Sequence, residues 1–196
     1  DGFQQEGISP SVKDKIAIAK LIDGLGVSFI EGGWPGASPK EEEFFETAKR
    51  ELDLKNAKLV SFGSTRKLDL SAKDDPQVKA LVDSGTDYVC IVGKSSKLHI
   101  TKALQTDIDS AIDMAVDTIL YLKSKGKKVF FDAEHFFDGY KEDSQTSLKI
   151  LESVVTAGAD CFIFCDTNGG TLPEEVRKIL SEVIEKYPNT NFGVHF

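Results

Sequence analysis

The chain has 196 residues, of which 40% are hydrophobic and 29% are charged, and its formal net charge at pH 7 is −8. This composition indicates a globular domain of ordinary size, and the acidic balance argues against a nucleic-acid partner, which would require a basic surface. The sequence contains no apolar run near the roughly 18 residues of a membrane span, so we expect no membrane partner either.

Six short, nearly continuous apolar runs, rich in β-branched and aromatic residues, are predicted as strands. Such runs of about five residues are typical of parallel strands that are covered on both faces. They recur at intervals of roughly 30 residues, the length of a strand–helix–strand unit, with one longer interval in the middle. We predict that the strands end near residues 31, 63, 92, 132, 165 and 195.

Amphipathic segments fill the intervals and are predicted as helices. Ser9 or Ser11 can cap the first helix and Gly26 can end it, while Ser38 and Pro39 begin the second. Later helices are predicted within residues 76–85, 107–126, 144–158 and 173–187. This alternation is compatible with an open doubly wound sheet or with a (β/α)₈ barrel cut short. The glycine pairs lack the G-x-G-x-x-G spacing that a nucleotide-binding sheet would carry.

The ends of the predicted strands favour the barrel. Each run is followed by a polar or glycine-rich segment: Glu31 follows the first, Asp132 and Glu134 end the fourth, Thr167 follows the fifth and His195 ends the sixth. A single polar end would be read as a solvated turn. Six together predict groups that converge at one mouth of a barrel, where such proteins place their active sites.

These side chains permit specific chemistry. Asp1 and His195 are ligand types for a divalent cation between magnesium and zinc, although their separation carries no spacing signal. Asp132 and Glu134 point the same way along a strand, so they form either an acidic turn or a site where a carboxylate removes a proton next to a carbonyl. The Thr167 hydroxyl could position a substrate carboxylate.

Other reactive side chains are given structural interpretations. Cys90, Cys161 and Cys165 lie in apolar runs without metal-binding spacing, and we interpret the three as buried residues in a reducing compartment rather than as catalytic thiols. Lys94 could pair with an anionic substrate, but surface charge is favoured. His99 is interpreted as structural or solvated.

Six segments carry a resemblance to a known family. In chain order they are "DGFQQEGIS", "IEGGWPGASPK", "FGSTR", "DAEHFFDGYK", "CDTNGGTLP" and "GVHF". Together they resemble the catalytic barrel of citramalate synthases, which belong with the 2-isopropylmalate and homocitrate synthases and related metal-dependent carbon–carbon lyases. The string "DAEHFFDGYK" resembles the citramalate synthase branch more than the isopropylmalate branch.

The resemblance implies a (β/α)₈ barrel that condenses acetyl-CoA with a 2-oxo acid, pyruvate being the expected one, with the help of Mg²⁺, Mn²⁺ or Zn²⁺. It implies that Asp1 and His195 bind the metal and that Glu134 belongs to the catalytic base. Thr167 would contact the oxo-acid carboxylate, and Asp132 and Glu31 would line the substrate pocket. For the whole protein, the resemblance implies a homodimer in the cytoplasm, or in an organelle stroma if a transit peptide was removed.

The resemblance also implies that residues 1–196 are a partial catalytic barrel, with about strands 2 to 7 and part of strand 1. The arginine that precedes the metal aspartate in the family would stand before Asp1, and the second histidine of the metal-binding pair would be residue 197. The rest of the barrel and a regulatory domain would lie outside this chain. Two alternatives stay open: a relative that makes isopropylmalate or homocitrate or cleaves such products, and an inactive barrel fragment.

Overall fold

The computed structural model describes residues 2–196, in which six strands alternate with helices. The strands are β1 Phe29–Gly33, β2 Lys58–Ser64, β3 Tyr88–Lys94, β4 Lys128–Glu134, β5 Cys161–Cys165 and β6 Phe192–His195. They form one parallel sheet in the order β1-β2-β3-β4-β5-β6. The predicted strand ends are confirmed to within two residues.

Seven helices cover one face of this sheet, after a short 3₁₀ turn at Gly2–Gln4. They are α1 Val12–Asp23, α2 Pro39–Glu51, α3 Pro76–Asp83, α4 Lys97–Lys102, α5 Ile108–Ser124, α6 Phe136–Thr156 and α7 Pro173–Lys186. No helix among residues 2–196 combines the length and the apolar character needed to cross a bilayer.

The helix boundaries follow from the capping residues. Ser11 accepts a hydrogen bond from the Asp14 amide while the Asp14 carboxylate accepts one from Ser11, a reciprocal cap on α1. Ser38 caps α2 in front of Pro39. After α1, Gly26 has φ of +79°, the left-handed conformation in which glycine has no steric penalty.

One helix begins earlier than predicted. The segment 144–158 was predicted as a separate helix, but α6 begins at Phe136 and is kinked at Asp143, whose φ and ψ are −152° and 85°. Asp143 does cap the second part, because its carboxylate accepts hydrogen bonds from the Thr146 amide and hydroxyl. Burial of Phe136 and Phe137 against the sheet adds the preceding turns to the predicted helix.

The main core lies between the sheet and helices α3 to α7. Every second side chain along a strand points outwards from the sheet into this core. Among these side chains, the following are fully buried: Val89, Val129, Phe131 and Phe164. The intervening residues point to the inner face. At the amino ends of the strands this inner face carries an aromatic cluster of Phe29, Tyr88 and Phe130, with ring centroids 5.0 to 5.7 Å apart.

Candidate active site at the carboxyl ends of the strands

The carboxyl ends of all six strands meet at one edge of the curved sheet, because every neighbouring pair is parallel. A cavity of about 270 Å³ lies there. It is lined by Phe62, Val92, Asp132, Glu134, Cys165, Asp166, Thr167, His195 and Phe196. Four of the residues singled out from the sequence, Asp132, Glu134, Thr167 and His195, therefore share one cavity.

Glu134 forms an ion pair with Lys94 at the rim of this cavity. The two residues are direct neighbours in the β3–β4 register, and Lys94 Nζ contacts Glu134 Oε2. Both side chains are only about a quarter exposed, at 24% and 27%. Surface charge was the favoured interpretation of Lys94, and the structure instead places its ammonium group on the carboxylate of the candidate base.

Asp132 and His195 are in direct contact across strands that are not neighbours. His195 Nδ1 lies 3.3 Å from Asp132 Oδ2, and the Asp132 side chain is 8% exposed whereas that of His195 is 49% exposed. Because a carboxylate oxygen accepts hydrogen bonds, the imidazole donates through Nδ1–H. Histidines that bind a metal through one ring nitrogen commonly donate from the other nitrogen to a carboxylate in this way.

Cys165 joins this pair. One ligand atom from each of Asp132, Cys165 and His195 lies within 4.8 Å of the others. The Asp132 carboxylate and the His195 imidazole supply oxygen and nitrogen donors that suit Mn²⁺ or Zn²⁺, whereas burial raises the pKa of the Cys165 thiol and keeps it neutral. The described side chains therefore fit a divalent cation at this end of the sheet. Asp1, the other expected ligand, lies outside the described residues.

The cysteines support their structural interpretation. All three are free thiols, with Cys90 and Cys165 buried. Burial, and next the nearby Asp132 carboxylate, raises the pKa of Cys161 to about 11 and raises the pKa values of Cys90 and Cys165 as well. Thiols held in the neutral form are poor nucleophiles, which agrees with packing rather than catalysis.

Glu31 extends the acidic character of the inner face. It lies on β1, the edge strand of the sheet. The pKa of the Glu31 carboxyl is raised, first by loss of water above the sheet and second by the Asp132 carboxylate. Two carboxylates that oppose each other's ionisation in this way favour a cation between or beside them.

Thr167 is held by the chain segment that follows Glu134. Its hydroxyl oxygen accepts a hydrogen bond of 2.8 Å from the backbone N–H of His135, so its own O–H remains a donor towards the cavity. Asp166, which sequence reasoning did not single out, fixes this loop. Its carboxylate accepts from the Thr171 amide and hydroxyl at 3.0 and 2.8 Å, and its amide donates to the His195 carbonyl.

Two histidines stack directly behind the candidate base. The imidazoles of His99, on α4, and His135 are parallel within 5°, with centroids 3.5 Å apart. His135 follows Glu134 and has φ of 60°, which is unusual for a residue other than glycine. Burial, and next the neighbouring His99, lowers the pKa of His135. His99 is thus structural, as interpreted, but its position next to Glu134 had no sequence signal.

Trp34 packs edge-on against Phe62 with ring centroids 5.9 Å apart. Phe62 in turn lines the cavity. The tryptophan therefore supports one wall of the site from the β1–α2 connection.

Comparison with known proteins identifies the family of the chain. The sequence model of the HMGL-like family matches residues 1–196. Over the whole chain it is 48% identical to (R)-citramalate synthase of Aquifex aeolicus and 46% identical to that of Streptomyces coelicolor. A 2-isopropylmalate synthase of Shouchella clausii is 30% identical over 99% of the chain. The chain spans 36% to 37% of the length of these three relatives.

The fold has solved counterparts. The whole chain superposes on the crystal structure of HMG-CoA lyase from Bacillus subtilis with a TM-score of 0.81, at 17% sequence identity. The matched part is 65% of that lyase chain. The six-stranded sheet is therefore part of a TIM barrel, which confirms the predicted fold class.

Proposed function

The chain belongs to the HMGL-like family, and from that premise we propose that it forms part of the catalytic domain of an acyltransferase that condenses acetyl-CoA with a 2-oxo acid. Pyruvate is the proposed oxo acid and citramalate the product. The observation that carries this proposal is the identity of 42% to 48% with five (R)-citramalate synthases, which exceeds that with the other synthases. The convergence of Glu134, Thr167 and His195 on one cavity supports it.

Glu134 is the proposed general base. Its carboxylate removes a proton from the methyl group of acetyl-CoA, and the electron pair left on carbon forms the new bond to the keto carbon of the oxo acid. The keto oxygen takes up a proton, and water then hydrolyses the thioester to release CoA. The Lys94 ion pair engages Oε2, so Oε1 is the oxygen assigned to proton transfer.

Thr167 and the inner acidic residues have proposed roles in binding. The Thr167 hydroxyl, already fixed by the His135 amide, donates its proton to the carboxylate of the oxo acid. Asp132 orients the His195 ring through Nδ1. Glu31 and Asp132 line the pocket around the small substituent of the oxo acid, where Phe62 and Val92 supply apolar walls.

Asp1 and His195 would hold the divalent metal, which when bound supplies Lewis-acid polarisation of the keto group and orients the oxo acid. We propose Mg²⁺, Mn²⁺ or Zn²⁺ for this position. The acidic residues Glu31 and Asp132 favour the same cation electrostatically, because its charge relieves their mutual repulsion.

Residues 1–196 are proposed to be a partial catalytic barrel, which the remainder of a longer polypeptide completes. The whole protein is proposed to act as a cytoplasmic homodimer. Mass measurement of the full-length protein by light scattering tests the dimer, and a monomer at enzyme-assay concentrations would refute it.

The test of function is an assay of the full-length protein with acetyl-CoA and three oxo acids: pyruvate, 2-oxoisovalerate and 2-oxoglutarate. We expect release of free CoA with pyruvate at a kcat/KM at least about tenfold above the other two, and loss of activity with EDTA. A preference for either larger oxo acid would assign the chain to the isopropylmalate or homocitrate reaction. A folded protein that releases no CoA with any of them would refute the proposal.

A further inference from the structure

The stacked imidazoles of His99 and His135 have no role in the reaction as described above. Neither lines the substrate cavity. Within residues 2–196, Nδ1 of each ring is buried and has no hydrogen-bond partner, and the nearest acid, Asp138 Oδ2, is 3.7 Å from His135 Nδ1. Buried polar atoms without partners are rare and usually have a structural or functional reason.

His135 connects two residues of the proposed site. It directly follows Glu134 in the chain, and its backbone N–H holds the Thr167 hydroxyl at 2.8 Å. Its own backbone is left-handed, with φ of 60° and ψ of 31°, where a branched or ring-bearing side chain is strained. Relaxation to an ordinary conformation would turn the N–H away from Thr167 and rotate the peptide that carries Glu134.

The segment that carries His99 is pressed against the start of α6. The Ser95 amide donates to the Glu134 carbonyl at 2.9 Å, and the Ser147 hydroxyl donates to the Ser95 carbonyl at 3.0 Å. Gly139 makes this approach possible, since a Cβ there would lie 2.5 Å from the Ser95 oxygen. The β3–α4 connection is therefore fixed on α6 at Gly139 and Ser147, and the His99 ring lies flat on the His135 ring.

We propose that His99 is a positioning residue of the active site. Its stacked ring holds His135 in the left-handed conformation and so fixes the Glu134 carboxylate and the Thr167 hydroxyl relative to each other. This inference rests on the proposed function, because the stack is assigned the role of positioning the proposed base, Glu134, and the proposed oxo-acid ligand, Thr167.

The stack explains why a histidine rather than glycine or asparagine can stand at position 135. Glycine or asparagine would adopt the left-handed backbone without a partner ring. With histidine at position 135, the parallel contact with the His99 ring holds the backbone in the left-handed conformation. That conformation then depends on a residue of another helix, α4.

The experiment compares His99→Ala with His99→Phe in the full-length protein. Alanine removes the stacked ring, whereas phenylalanine keeps a planar ring of similar size without ring nitrogens. We expect His99→Ala to lower kcat about tenfold or more and to raise KM for the oxo acid, since both Glu134 and Thr167 lose their position. His99→Phe should retain kcat and KM within about threefold. Leu98→Ala, an exposed neighbour on α4, is the matched control and should leave both unchanged.

A readout independent of activity accompanies the kinetics. Hydrogen exchange of the His135 amide should be at least about tenfold faster in His99→Ala than in the wild type or in His99→Phe, because its bond to Thr167 is lost. Wild-type exchange and kinetics in His99→Ala would overturn the inference. If His99→Ala does not fold, the same changes at position 99 are made in a His135→Asn background, where asparagine adopts the left-handed backbone without a stacked ring. Activity near wild type with Ala, Leu or Phe at position 99 in that background supports the inference. A loss of activity with Ala in that background refutes it.

Failure of the proposed function would be recognised separately. In that case the wild type would release no CoA with any oxo acid. The difference in His135 amide exchange between His99→Ala and His99→Phe would still show whether the stack holds the backbone of His135.

Discussion

The carboxylates at the two ends of the sheet differ in how their charge is balanced. Near the amino ends, Asp23 accepts hydrogen bonds from the Lys55, Asn56 and Ala57 amides at 2.7 to 2.9 Å. These bonds, led by that from Ala57, lower the pKa of Asp23. At the carboxyl ends, burial and next the Asp132 carboxylate raise the pKa of Glu31. Carboxylates of the first kind stabilise the fold, and those of the second kind are suited to a cation or to proton transfer.

Asp160 repeats the pattern of the amino ends. It accepts from Lys123 and Lys128 and from the Val129 amide at 2.7 to 3.2 Å. Burial alone would raise the pKa of Asp160, but these donors outweigh it and the pKa is lowered. Asp23 and Asp160 are thus held by several donors each at the amino ends, whereas at the carboxyl ends burial and next the Asp132 carboxylate raise the pKa of Glu31.

The largest expected effect is that of Glu134→Gln in the full-length protein. The amide cannot accept the methyl proton, so kcat should fall by about 10²-fold or more with a smaller change in KM for the oxo acid. Steady-state kinetics measure this, with Glu185→Gln on the surface of α7 as the control. Turnover near the wild-type rate in Glu134→Gln would move the base to another residue.

Next in size is the effect of Asp132→Asn on metal binding. Asparagine at this position removes the negative charge that orients His195, and residues that orient a metal-binding histidine typically contribute about 10-fold to 100-fold in affinity. Calorimetry of the full-length protein with Mn²⁺ and Zn²⁺ measures the change. Unaltered affinity in Asp132→Asn would show that the contact with His195 has no bearing on the metal.

A smaller effect is expected from Asp23→Asn at the opposite end. The amide nitrogen cannot accept from the backbone N–H groups of residues 55–57, so the thermal unfolding midpoint should fall by several degrees while kcat stays unchanged. Because the pKa of Asp23 is lowered in the fold, its contribution is present at neutral pH and is lost as pH falls below about 4. The midpoint difference between the variant and the wild type should therefore shrink in acid. A kinetic defect with an unchanged midpoint would contradict the contrast between the two ends.

The smallest effect should have the opposite sign. The pKa of Glu31 is raised in the fold, so the folded protein loses stability as pH rises from the unfolded pKa to the folded pKa of this group. Glu31→Gln should therefore slightly raise the unfolding midpoint at pH 7 in the presence of EDTA. Below about pH 4 the two proteins should unfold alike. Thermal unfolding scans at both pH values measure this. A lower midpoint for Glu31→Gln at pH 7 would place Glu31 with the structural acids.

Much of the fold followed from local patterns. The apolar runs gave the strands to within two residues at their ends, and Ser11 and Ser38 cap helices as predicted. Gly26 has the predicted left-handed backbone, although α1 already ends at Asp23. The predicted beginning of α6 was wrong, because the helix starts at Phe136 and continues through a kink at Asp143. The start of α6 is set by burial of Phe136 and Phe137 against the sheet, which local helix propensity does not indicate.

By itself the sequence determined which residues end the strands, because strand and helix periods and capping groups act over a few residues. Only the tertiary structure decided which of those residues meet. The Lys94–Glu134 ion pair depends on the β3–β4 register, the contact of Asp132 with His195 depends on the curvature of the sheet, and the stacked histidines depend on the close approach at Gly139. Each joins residues far apart in the chain, whose distance is set by how strands pair and layers pack rather than by the residues between them.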